Sequence, residues 1–183
     1  MIKLENTDLS IYPLCLGGNV FGYSADKVNS EAVLSHYADN GGNFIDTADM
    51  YSQWAPGHTG GESETIIGDW MKKCGNRAQM IIATKVGKLD TKPGLKPSNI
   101  ISACDDSLRR LGTDCIDIYY AHQDDPETPI PEALAAFDSL VKSGKVRYIA
   151  ASNFTPARLQ ESLDISKKFS LASYIACQDQ YNL

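Results

Sequence analysis

Four side chains that can hold or steer a proton stand at, or just beyond, the ends of apolar runs. Asp46 closes NFID, Tyr51 follows it in TADMYS, Lys85 closes MIIATK and His122 closes IDIYYAH. Each has a plainer reading. A strand-end aspartate often caps a turn, and a tyrosine after a strand is more often packing than chemistry. His122 alone reads as a hydrogen-bonded core histidine. Lys85 is harder to dismiss, because charged residues are seldom buried without a partner. Together the four share one logic. A phenol with a pKa of about 10 is a poor acid at neutral pH. A neighbouring ammonium favours the phenolate and is expected to lower that pKa, and an aspartate beside the lysine compensates the burial of its charge. A neutral histidine can donate a hydrogen bond to a carbonyl oxygen and orient it. The set reads as general-acid machinery for a substrate whose carbon receives a hydride.

Such a set works only if the ends of separate runs meet. Strand-like runs LCLGG, NFID, MIIATK, CIDIYYAH, VRYIAASN and SYIACQ alternate with segments of helical period. The first helix is expected over 30–40, with Val33, Leu34 and Tyr37 on its inner face. The second is expected over 62–73 on Ile66, Ile67, Trp70 and Met71, with Glu62 and Glu64 at its positive end. Pro97 opens a third on Ile100, Ile101, Cys104, Leu108 and Leu111, followed by Gly112. A fourth spans 131–143 on Leu134, Phe137 and Val141, and a fifth 156–168 on Leu159 and Leu163. Proline near helix starts and glycine after helix ends is the usual asymmetry.

Five βα units and a sixth strand predict one α/β domain over 1–183, with a parallel sheet covered by helices. An open dinucleotide-binding sheet would carry GxGxxG after its first strand, whereas the chain has Gly17-Gly18-Asn19-Val20-Phe21-Gly22. Polar residues stand at the carboxyl ends of successive strands: Asp46, Lys85, His122, Ser152-Asn153 and Gln178. In a (β/α)8 TIM barrel those ends converge on one mouth. The expectation is that barrel, with only its first six strands present.

Composition narrows the partners. A net charge of −6 without a basic stripe argues against nucleic acid and anionic membranes. No apolar run reaches the roughly 18 residues of a membrane span, and MIKLENTDLS lacks the core of a signal peptide. Five scattered cysteines without CxxC spacing read as buried free thiols in a reducing, cytoplasmic compartment, with Cys15 and Cys177 in the core and no metal site. The charges of SLRRLG read as a solvated helix face or C-terminal capping.

The blocks GGNFIDTADMYS, GGESETIIGDWMK, IIATKVG, SLRRLGTDCIDIYYAHQDDPETPI, EALAAFDSLVKSGKVRYIAASNF and QDQYNL closely resemble aldo-keto reductases, particularly the bacterial branch related to potassium-channel β subunits. The resemblance runs from about Leu14 to Leu183. It implies reduction of aldehydes or ketones with NADPH, Tyr51 as proton donor, Lys85 and Asp46 tuning it and His122 orienting the carbonyl. Ser152, Asn153 and Gln178 match the positions that hold the nicotinamide carboxamide, a role that needs both donors and acceptors; a helix N-cap is the plainer reading of Ser152-Asn153. Trp54, in the loop after Tyr51, is placed either as a wall of the substrate pocket or as an incidental residue of an exposed turn, with His58 turned to solvent. The family barrel has eight strands, so two βα units and most of the adenine-side contacts are expected beyond this stretch. Association of two such chains, a cofactor-binding regulatory module like a channel β subunit, an inactive fragment, and a lysine Schiff-base enzyme built on Lys85 are the competing readings.

Overall fold

The computed structural model describes residues 1–180. In chain order the elements are β1 (Ile2–Lys3), β2 (Ser10–Ile11), β3 (Leu16–Gly17), α1 (Lys27–Asp39), β4 (Phe44–Asp46), α2 (Glu62–Cys74) and β5 (Ile81–Val86). There follow β6 (Lys88–Leu89), β7 (Lys92–Pro93), α3 (Pro97–Leu111), β8 (Ile116–Ala121), α4 (Ile130–Lys142), β9 (Val146–Ser152), α5 (Pro156–Phe169) and β10 (Tyr174–Gln178). Six strands form one parallel sheet in the spatial order β3-β4-β5-β8-β9-β10. Each of these strands pairs with the next along the chain, so the order never reverses as it does in a doubly wound sheet. The sheet curls into a six-stranded half-barrel whose described edges are β3 and β10.

The helices begin and stop where local chemistry tells them to. Asp26 caps α1 by accepting from the Asn29 backbone N–H at 2.8 Å, which starts that helix three residues earlier than its apolar pattern suggests. Pro97 and Pro156 open α3 and α5, and left-handed Gly75 and Gly112 end α2 and α3.

Two apolar layers hold the sheet. Outside it, Ile67 and Trp70 of α2, Ile100 and Leu111 of α3 and Phe137 of α4 pack on Ile82, Ile116 and Tyr119. Inside the curl, Ile81, Ala83, Ile118, Tyr120 and Ala150 form a second cluster. Strands β5 and β8 are therefore buried at every residue, as parallel strands covered on both faces should be. The stretch before β3 reads as a polar lead-in, yet it folds as the antiparallel hairpin β1–β2 and sends Leu9 into the inner cluster. Asp8 ties this hairpin to β9, taking bonds from Arg147 at 2.8 Å and from the Tyr148 hydroxyl at 2.8 Å.

Several expectations fail at the flanks. On α1 only Ser30 and Leu34 are buried, while Val33 is 44% exposed. On α5 the buried residues are Ser162 and Ser166, with Leu159 and Leu163 only half-buried. These helices lie beside the edge strands and have a helix neighbour on one side only, so their inner faces are narrower than periodicity implies. Ile101 is likewise exposed on α3. Of the five free cysteines only Cys104 is buried; Cys15 and Cys115 are half-buried, and Cys74 and Cys177 are exposed. Cys15 immediately precedes edge strand β3 and Cys177 lies on edge strand β10, which leaves the first half-buried and the second exposed. Gly68 marks the closest approach of α2 to α3, since a Cβ there would collide with backbone atoms of Arg110 and Leu111.

Candidate active site

The carboxyl ends of β4, β5 and β8, with the loop after β4, bring the four proton-handling residues together. Register explains the pairing of Asp46 with Lys85. Asp46 lies opposite Ala83 on β5, and Lys85 is two residues further on, so both point to the same side of the sheet. Lys85 is 1% exposed, and its ammonium has three partners for three N–H donors: Asp46 Oδ2 at 2.6 Å, the Thr47 carbonyl at 2.8 Å and Tyr51 Oη at 3.0 Å. Tyr51 Oη also lies 3.4 Å from Asp46 Oδ2. The His122 ring stands edge-on to the Tyr51 ring with centroids 6.0 Å apart.

Electrostatics settle which groups carry protons. Burial, helped by the positive charges of Lys85 and Lys88, pushes His122 down to about 3, so the imidazole is neutral at neutral pH. Its Nδ1 is buried without a partner among the described residues, while its backbone is held by Val86 and by the Asn153 side chain. Tyr51 differs from expectation. Burial raises its pKa above the ordinary value, and the opposing pull of Lys85 does not reverse this because Asp46 pushes upward as well. The sequence points to a lowered phenol because it shows the ammonium but not how deeply the ring is sunk. Cys15, close to Asp46 and Lys85, is pushed up to about 12 by burial, which leaves a protonated, unreactive thiol.

At the end of β9, Ser152 donates to the Gln178 carbonyl at 2.6 Å and so stitches β9 to β10. Asn153 takes a left-handed backbone (φ 56°), which asparagine tolerates better than most residues. Its amide nitrogen donates to the His122 carbonyl at 2.9 Å and to Ser152 Oγ at 3.0 Å, leaving Oδ1 as a free acceptor among the described residues. The N-cap of α5 is Thr155, accepting from Arg158, which removes the capping reading of Ser152-Asn153. Gln178 is exposed, with no side-chain hydrogen bond among the described residues. Among the described residues the Asn153 Oδ1 acceptor and the Gln178 side-chain amide have no partner, and such donors and acceptors are what a carboxamide needs, so these residues fit a nicotinamide ring.

Trp54 is 45% exposed and sits between Tyr23 and Tyr51, its ring 6.0 Å from the first and 6.2 Å from the second. The loop after Tyr51 is tied to the β6–β7 hairpin by Gln53, whose side chain accepts from the Asp90 N–H at 3.1 Å. His58 is half-buried, its Nδ1 shielded from solvent, and not turned to water as expected.

Behind the sheet lies a polar group that sequence reasoning does not assemble. Glu64 is fully buried, accepting from the Thr84 hydroxyl at 2.5 Å and from Arg110 Nε at 2.6 Å. It is thus not a surface complement to the helix dipole, and Arg110 is not part of a solvated face. Gly61 leaves the space into which the Arg110 guanidinium folds. Asp49, 1% exposed, lies against the same group. Asp179 is a further omission, accepting from the Asn153 N–H at 2.8 Å. No signal in the sequence pairs residues so far apart.

Comparison with known proteins shows the family. The aldo/keto reductase family profile matches residues 13–183. The Bacillus subtilis protein named uncharacterized oxidoreductase YrpG is 35% identical, across 98% of this chain and 57% of its own length. The Schizosaccharomyces pombe aldo-keto reductase yakc [NADP(+)] is 40% identical, across 75% of this chain and 40% of its own. A putative voltage-gated potassium channel subunit beta from the same yeast is 33% identical, across 98% of this chain and 52% of its own. The match thus covers about 40–57% of the length of these relatives, and the chain belongs to the aldo/keto reductase family.

Proposed function

We propose that the protein is an NADPH-dependent reductase of aldehydes or ketones, built on five βα units and the sixth strand of an eight-stranded barrel. The observation that carries this reading is the buried Lys85 ammonium, held at once by Asp46 and by the Tyr51 hydroxyl. Ser152, Asn153 and Gln178 would hold the nicotinamide carboxamide. NADPH, when bound, supplies the hydride that the carbonyl carbon receives.

The chain's own residues account for the proton. Tyr51, with its raised pKa, remains a phenol throughout the neutral range and is a filled donor. As its O–H bond breaks toward the carbonyl oxygen, charge develops on Oη, 3.0 Å from the Lys85 ammonium. That interaction strengthens only as the proton leaves, so it lowers the barrier and not merely the ground state. Asp46 fixes the ammonium in place, and the neutral His122 orients the carbonyl oxygen. Trp54 supplies an apolar wall beside Tyr51 that excludes water. One domain and a cytoplasmic setting complete the reading, whose oxidoreductase part is supported by the YrpG and yakc names.

The potassium-channel relative favours a second reading, in which the fold binds cofactor and acts through a partner. The test is NADPH consumption against a panel of aldehydes, set beside the dissociation constant from quenching of protein fluorescence. Turnover that saturates with aldehyde supports the reductase. Tight NADPH binding with no turnover on any member of the panel overturns it in favour of the module.

A further inference from the structure

The turn that carries Tyr51 also carries a buried carboxyl with no compensating partner. Asp49 is 1% exposed, and neither Oδ1 nor Oδ2 has a hydrogen bond among the described residues. Its backbone N–H donates to the Lys85 carbonyl at 3.1 Å, and the Tyr51 N–H closes the turn onto Ala48 at 3.2 Å. The groups facing it are Glu64 from α2, Arg110 from α3, Lys85 from β5 and Tyr119 from β8. All three donors of Lys85 are taken, and Arg110 gives Nε to Glu64 and one terminal nitrogen to Ser107 at 3.4 Å, with no hydrogen bond to Asp49 among the described residues. Arg110, the Met50 N–H and Lys85 favour the carboxylate but do not outweigh its burial. Glu64 adds a second buried carboxylate to the same space, and the Tyr119 hydroxyl is buried there without a partner among the described residues. A charged carboxylate in such a place is prohibitively costly, so the group is expected to keep its proton.

We propose that Asp49 is a positioning residue for Tyr51, holding the Ala48–Tyr51 turn against the sheet as a neutral carboxylic acid. When it ionises, the carboxylate must regain water. Its own turn is the segment that can move to allow this, and that turn carries the Tyr51 hydroxyl away from Lys85. Burial, with Glu64 as the next cause, lifts Asp49 to about 8, so the change falls in the mildly alkaline range and below the loss of the Tyr51 proton. The alkaline limit of the site is then set behind the sheet, by a residue that touches neither substrate nor cofactor.

This inference rests on the reductase reading for its catalytic half only, and its test separates the two. The variant is Asp49→Asn, which keeps the shape and stays neutral at every pH. Thermal unfolding of both proteins between pH 5 and 9 needs no activity. The unfolded Asp releases its proton near 3.8 and the folded one near 8, so the stability this residue contributes falls across that window in the wild type and the same loss is absent from the variant. The advantage of Asp49→Asn in melting temperature is expected to grow from pH 5 to 8 and then level off; an advantage independent of pH overturns the proposal. With an aldehyde the variant turns over, kcat/KM of the wild type is expected to fall about tenfold from pH 7 to 9, as one proton is lost near 8, and that of Asp49→Asn less than twofold. Identical profiles overturn the positioning role. Absence of turnover in both proteins counts against the reductase reading, and the melting series then decides the proposal alone.

Discussion

Removing the Lys85 ammonium tests the centre of the site without assuming its chemistry. In Lys85→Met the buried Asp46 side chain, 9% exposed, loses the cation 2.6 Å from Oδ2, and its Oδ1 already lacks a partner among the described residues. Breaking one half of a buried pair costs about 3–5 kcal/mol, mostly because the other charge is stranded. For a domain of this size each kcal/mol shifts the melting temperature by roughly 2–4 °C, so a fall of about 6–20 °C is expected. Asp46→Asn strands the lysine instead, but leaves it the Thr47 carbonyl and the Tyr51 hydroxyl, so its cost falls at the lower end. The double variant buries no charge at this pair and is expected to be more stable than the sum of the singles by about 2–3 kcal/mol. Urea unfolding followed by the fluorescence of Trp70, itself 1% exposed, measures all four proteins. Single costs that add to within about 0.5 kcal/mol would refute the argument, because independent sites behave that way.

Other expectations follow from neighbouring features. Replacing an exposed helix-interior glycine with alanine usually stabilises by up to about 1 kcal/mol; Gly68→Ala should instead destabilise by about 1–3 kcal/mol, because its Cβ meets the backbone of Arg110 and Leu111, and a rise in melting temperature would contradict this packing. Arg110→Met strands fully buried Glu64 and should cost about 3–5 kcal/mol, a loss that Arg110→Met with Glu64→Gln largely recovers in the same unfolding assay. For His122 the folded pKa near 3 lies below the unfolded value of 6.5, so the unfolded chain takes up the proton first as pH falls. Stability due to this residue is complete above about 6.5 and declines at up to about 1.4 kcal/mol per pH unit below it. His122→Asn should flatten that acid slope, and an unchanged slope would show that the imidazole is charged in the fold.

The sequence made some of this legible and hid the rest for physical reasons. Lys85 and His122 end apolar runs that can only be buried strands, so their meeting beside Asp46 followed once the strands lay in chain order. The alternation of β-rich and helical segments was equally plain, since periods of 2 and 3.6 residues differ over a dozen positions. Periodicity says nothing about which helices have neighbours, and so Val33 and Leu163 were assigned to a core that the edge helices do not have. Arg110 and Glu64 are 46 residues apart and look like surface charges until α2 and α3 are laid together on the sheet. The sign of the Tyr51 shift depends on depth of burial against one ammonium, a balance of distances that residue types do not contain. Asp49 was hidden in the same way: TAD reads as a polar turn, and only the fold turns its carboxyl inward.

The most direct measurement is reduction of an aldehyde by Tyr51→Phe, with NADPH affinity determined on the same sample. The variant keeps the ring that packs against His122 and Trp54 and lacks only the hydroxyl beside Lys85. The expected result is a fall in kcat of about 10²- to 10⁴-fold, as for loss of a general acid, with the dissociation constant for NADPH unchanged to within about twofold. Turnover equal to the wild type would contradict it and move the proton donor elsewhere.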